Sequence, residues 1–142
     1  MMHTKIELSE FNFTSFMHEH MHDLVIIVGG SWYYESHAGS YEYQTRLGVR
    51  KSATRRGNLA ISSSSNHAML EAVLAAIKRI QLQNKTIFVL SPTPLGFKKR
   101  KGPNEHIINL IFDLCTEKEL VLNSLAINNG GQLIRNILDN KL

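Results

Sequence analysis

Asp23-Leu-Val-Ile-Ile-Val-Gly-Gly30 is an unbroken apolar run that stops at two glycines. A strand with one wet face alternates apolar with polar residues, so this run marks a central strand covered on both faces. Downstream, Tyr41 to Arg50 and Gly57 to Ser62 are shorter, half-polar runs separated by the basic turn Lys51-Ser-Ala-Thr-Arg-Arg-Gly-Asn58, and they read as two more strands of a meander. The sheet therefore starts antiparallel. Ser62 to Asn66 offers capping side chains before a run with apolar Leu70, Val73, Leu74, Ile77 and Ile80 at helical spacing. Thr86-Ile-Phe-Val-Leu90 is short, β-branched and stopped by Pro92 and Pro94, which makes it a fourth strand. Pro103-Asn104 opens a second helix reaching about Thr116, Leu120 to Ile127 supplies a fifth strand, and Gly130-Gly131 leads into a last helix.

This order is α/β, with helical crossovers that imply parallel pairing of the later strands. At 142 residues the chain is long enough for one domain with a proper core. Residues 24–142 are assigned to that domain and residues 1–23 to an N-terminal extension. In the extension, Lys5 to Phe13 partly alternates and is compatible with an added strand or a partner-binding arm.

Laid on residues, the pattern from about 24 to 141 resembles a type 1 ribonuclease H domain with its catalytic centre removed. The family's Thr-Asp-Gly-Ser at the end of the first strand is matched by Val28-Gly29-Gly30-Ser31. Its Thr-Asn-Asn followed by a helix-starting Glu is matched by Ser64-Ser65-Asn66 and Ala68-Met69-Leu70. The Asp-Ser after its fourth strand becomes Pro92-Thr93, and the following Leu95-Gly96 resembles the short retroviral and retrotransposon version. Matching Gly130-Gly131-Gln132 to the Gly-Asn-Glu of the last helix puts Arg135 at the final Asp. The resemblance implies a five-stranded mixed sheet, its first three strands antiparallel, with flanking helices.

It also implies a lost activity. Two-metal hydrolysis needs clustered carboxylates holding two Mg²⁺ ions roughly 4 Å apart. Gly29, Met69, Pro92 and Arg135 provide no hard carboxylate oxygen. Glu71, Glu35 and Asp139 make no convincing replacement cluster, so an inactive module without metal or cofactor is the leading expectation. A guanidinium at Arg135 would put positive charge near the former metal position, where it contacts a phosphate or stands as an ordinary surface arginine. The competing expectation is a working nuclease or metal-dependent hydrolase with an unrecognised site, for which His18-Glu-His-Met-His-Asp23 is the only metal-like cluster.

Charge points to partners. Sixteen Lys and Arg against twelve acids give +4, mildly basic and compatible with nucleic acid. Lys98-Lys99-Arg100-Lys101 is one dense run, and Arg50, Lys51, Arg55 and Arg56 make a second. In the family the loop after the fourth strand lies near the hybrid-binding side, so the run reads either as a contact to RNA or an RNA–DNA hybrid or as a solvated basic loop, and the inactive module as one that binds nucleic acid or scaffolds a protein complex. Ser64 and Asn66 occupy the family's phosphate- and sugar-contacting positions, or serve as a helix cap. Ile107 to Cys115 is apolar around much of its helix, through core burial or through a protein or homo-oligomer interface using Leu110 or Phe112. Trp32-Tyr33-Tyr34 is either strand-end packing or a base-stacking surface. Cys115 stands alone and reads as a buried thiol. No signal peptide or membrane-length run is evident, and an intracellular protein is the expectation.

Overall fold

In the computed structural model, which describes residues 1–99 and 101–142, the chain runs through β1 (His3–Glu7), α1 (Phe13–Glu19), β2 (Leu24–Tyr33), β3 (Ala38–Leu47), β4 (Arg50–Lys51), β5 (Arg55–Leu59), α2 (Ser65–Arg79), β6 (Thr86–Ser91), α3 (Glu105–Glu117), β7 (Val121–Asn128) and α4 (Gly131–Leu138). All the strands join one mixed sheet in the order β1-β7-β6-β2-β3-β4, with β5 also on β3. β2, β3 and β5 form an antiparallel meander. β2–β6, β6–β7 and β7–β1 are parallel.

The apolar run in β2 is continuous because its two faces serve two cores. Leu24, Ile26 and Val28 pack with α2 and α3, while Val25 and Ile27 pack with α4 and with Phe16 of α1. Strand side chains alternate faces, so each core takes every second residue. Ile26 and Ile27 are fully buried, each contributing roughly 1.5–3 kcal/mol of apolar burial.

The sheet has seven strands where five were expected. β1 pairs in parallel with β7, from His3↔Ser124 to Glu7↔Asn128. Its side chains are mostly exposed, so the strand is held by backbone pairing and leaves little hydrophobic signature. β4 is two exposed residues inside the basic turn, paired with Arg46 and Leu47. The second strand of the meander ends three residues earlier than its pattern suggested, because Gly48 turns the chain at a φ of +60°.

Helix ends are tied by side chains. Ser64 caps α2 by accepting from the His67 N–H at 3.0 Å. At the other end, the Lys118 ammonium donates to the Ile77 and Ile80 carbonyls at 2.8 and 2.7 Å, joining the close of α3 to the close of α2. No helix of the described residues is long and apolar enough to cross a membrane.

Candidate functional site

Alternation along β2 decides where the four positions aligned with the carboxylates of ribonuclease H stand. Gly29 belongs to the face covered by α4, where a Cβ would lie 3.1 Å from Leu138 Cδ1. Gly30 belongs to the opposite face, where a Cβ would lie 2.8 Å from Met69 Cγ. Met69 is buried in the α2 core, across the sheet from Gly29. Pro92 follows the carboxyl end of β6, whose register with β2 stops at Ile27↔Leu90, two residues short of Gly29 and Pro92. Arg135 lies on the face of Gly29.

Glu42 links them. It is the cross-strand partner of Gly29, and directly opposed residues share a face. Its carboxylate accepts from Arg135 Nη2 and, at 3.1 Å, from Arg56 Nε. Arg135 also donates to Asp139 Oδ1 from Nε at 3.1 Å and from Nη2 at 2.8 Å. Two guanidinium groups and two carboxylates thus form a chain, Arg56–Glu42–Arg135–Asp139, with no formal net charge. Hydrogen bonds to Glu42 and then Asp139 raise the Arg135 pKa. The hydrogen bond from Arg135 holds the Asp139 carboxyl below its ordinary value. The family's divalent ions do not fit here. Gly29 and Pro92 have no side-chain oxygen, Met69 faces away, and both nearby carboxylates already accept from a guanidinium. Glu42 was absent from the sequence reading, and no signal in it pairs this residue with Arg135, 93 positions away.

The basic residues separate. Arg55 and Arg56 are neighbours on a strand and face opposite sides of the sheet. Arg56 joins the ion chain, while Arg55 lines a cleft near the end of α2 with Arg79 and Tyr43. The run after β6 stays exposed at Lys98, Lys99 and Lys101, whereas Arg100 lies outside the described residues. Asn66 anchors this loop: its Nδ2 donates to the Pro94 carbonyl at 3.1 Å and its Oδ1 accepts from Thr93 Oγ1 at 2.8 Å. Asn66, Lys99 and Lys101 line one cleft of about 250 Å³ beside the start of α3. Ser64 is occupied as the α2 cap.

The histidine-rich lead-in folds into the end of α1 and the turn after it. His20 Nδ1 lies 3.0 Å from Asp23 Oδ2, with its ring against Phe16 and Phe88. Among the described residues, no three His, Cys, Asp or Glu side chains gather as metal ligands. Trp32 is held by its indole N–H donating to the Ser62 carbonyl at 2.8 Å, while Tyr33 and Tyr34 are exposed. On α3, Phe112 is buried and Leu110 is exposed.

Cys115 is buried, and desolvation pushes its thiol up to about 11. The thiolate is the reactive form, and the raised pKa keeps the group protonated up to that range. Iodoacetamide at pH 8 should therefore leave the native protein unlabelled and modify it in denaturant. Rapid labelling of the folded protein would contradict this burial.

No protein-family model matches the chain, and no curated protein matches it.

Proposed function

We propose that the chain is a non-catalytic ribonuclease H-like module that binds nucleic acid, RNA or an RNA–DNA hybrid, through the loop after β6. The observation that carries binding is the cleft where Asn66, Lys99 and Lys101 stand together, with a hydrogen-bonding amide and two ammonium groups suited to a sugar-phosphate backbone. The antiparallel meander followed by parallel, helix-connected strands supports the family reading. Loss of hydrolysis follows from the ion chain. Arg135 stands beside Gly29 with its charge balanced by Glu42 and Asp139, and a guanidinium cannot activate water as a metal does.

The test is a labelled RNA–DNA hybrid incubated with Mg²⁺ or Mn²⁺ and read on native and denaturing gels. Retarded, uncut hybrid is expected. Binding should weaken with salt, and replacing Lys98, Lys99, Arg100 and Lys101 by Gln should flatten the log–log salt slope by roughly 0.9 per phosphate contact removed. Cleavage that disappears in Glu42→Gln would overturn the inactive reading. A hybrid that migrates freely at low salt would overturn nucleic-acid binding and favour a protein partner.

A further inference from the structure

The sheet face beneath α2 and α3 changes character at the carboxyl end of β6, beside the middle of β7 and the start of β1. Ile87, Val89 and Leu122 present apolar side chains to the core. Farther along the same face come Ser91 on β6, Ser124 on β7, and His3 and Lys5 on β1, in the register Ser91↔Ala126, His3↔Ser124 and Lys5↔Ala126. With the loop Pro94–Lys98 they line a cleft of about 260 Å³. Crevices at the carboxyl ends of parallel strands are where open α/β sheets hold ligands.

The lining has a definite chemistry. His3 Nδ1 and Ser124 Oγ share a hydrogen bond at 2.9 Å, and the imidazole packs against Phe97 with ring centroids 5.6 Å apart. Burial, reinforced by the amino terminus and Lys98, holds the His3 pKa below its ordinary value, so the ring is a neutral hydrogen-bonding group at pH 7. Neither Lys5 nor Lys98 has a carboxylate partner among the described residues. Two ammonium charges beside hydroxyls fit a compact, highly charged anion. Among the described residues, the lining offers no arginine fork to favour a planar carboxylate. Its volume equals about nine waters at roughly 30 Å³ each, so the occupant is small.

We propose that this cleft binds a phosphate monoester, with the phosphoryl group between Lys5 and Lys98 and the organic body against Phe97. Such a group carries about −1.5 to −2 charges at neutral pH and three acceptor oxygens. It is supplied either by a free sugar phosphate or by the 5′-phosphorylated end of a nucleic-acid strand. The site shares Lys98 with the basic loop but is separable from the nucleic-acid reading, because Lys5 is outside that loop and Lys99 and Lys101 line the neighbouring cleft.

The test is a chemical-shift titration of isotope-labelled protein with ribose 5-phosphate, ribose, and a dinucleotide with or without a 5′-phosphate. Saturable shifts at Gly96, Phe97 and Ser124 are expected with a phosphorylated probe and not with ribose or the unphosphorylated dinucleotide. Lys5→Gln combined with Lys98→Gln should weaken binding about tenfold or more, through loss of charge-assisted bonds. Lys99→Gln combined with Lys101→Gln should leave it within about twofold. Tighter binding of the phosphorylated dinucleotide assigns the site to strand ends, and tighter or equal binding of ribose 5-phosphate assigns it to a free ester. Absence of saturable shifts with either phosphorylated probe at millimolar concentration overturns the proposal, as does affinity unchanged in the Lys5/Lys98 variant. Hybrid retardation in Lys5→Gln is the independent readout: it stands if only the monoester site fails.

Discussion

Gly30→Ala should lower the stability of the fold by about 3 kcal/mol, a large share of the roughly 5–15 kcal/mol that holds a domain together. The added Cβ would lie 2.8 Å from Met69 Cγ, 3.0 Å from the Ser65 carbonyl oxygen and 3.1 Å from the Met69 amide nitrogen. The methionine side chain can move, but the two backbone contacts belong to the first turn of α2, which packs directly on β2. Met69→Ala in the same chain should therefore restore only part of the loss. Gly131→Ala is the control, because a Cβ there meets nothing within 4 Å and alanine favours the helix it opens; a gain of about 0.5 kcal/mol is expected. Urea midpoints of the variants measure both effects. A Gly30→Ala protein as stable as the parent would mean that α2 does not approach β2 this closely.

Gln44→Leu should cost about 2–4 kcal/mol despite putting an apolar side chain at a fully buried position. The Gln44 amide nitrogen reaches Asn140 Oδ1 at 2.9 Å, Thr54 Oγ1 at 3.3 Å and the Ile137 carbonyl at 3.4 Å, and its oxygen accepts from Arg46 Nε at 2.8 Å. Ile137 is among the last residues of α4, and its carbonyl, which accepts from the Asn140 N–H at 3.0 Å, takes the Gln44 amide as a second donor. Thr54 serves the next one by donating to Leu138 O. The buried amide thus fastens the closing turn of α4 to β3, and leucine would leave that turn facing hydrocarbon. Loss of amide-exchange protection in Ile137, Leu138 and Asn140 should accompany the drop in melting temperature. A variant that keeps both would assign α4's docking to Ile134 and Ile137 alone.

The elements that were legible in the sequence are those whose side chains do local work. β2 is readable because its two faces enter two cores, and α2 because Ser64 and the apolar spacing after it mark its start and buried side. β1 was legible only in part, as an alternating run from Lys5 compatible with an added strand, because it is held by backbone bonds to a strand more than a hundred residues away and its side chains are mostly exposed. Spacing alone set Gly29, Met69, Pro92 and Arg135 against the carboxylates of ribonuclease H, and spacing does not say which face of the sheet each one occupies. Met69 and Gly29 are separated by that alternation. The partner of Arg135 was hidden because Glu42 looks like any polar residue in a half-exposed strand until the sheet register sets it opposite Gly29. The basic run was visible as composition. Its division between two clefts, with Lys98 in one and Lys99 and Lys101 in the other, depends on the path of the loop.

The pairing of β1 with β7 also orders events during synthesis. Residues 3–7 leave the ribosome well before residues 124–128, their partners in the sheet. Until then β1 has no neighbour, while the meander, α2 and β6 already have theirs. Closing so long a loop is entropically unfavourable and comes late. Among the strands of this sheet, the one that precedes all others in sequence is thus among the last to dock, and an exposed β7 edge awaits it in any incompletely folded chain. Another copy's β1 can offer the same backbone groups there, so strand exchange between nascent chains is the characteristic hazard of this topology.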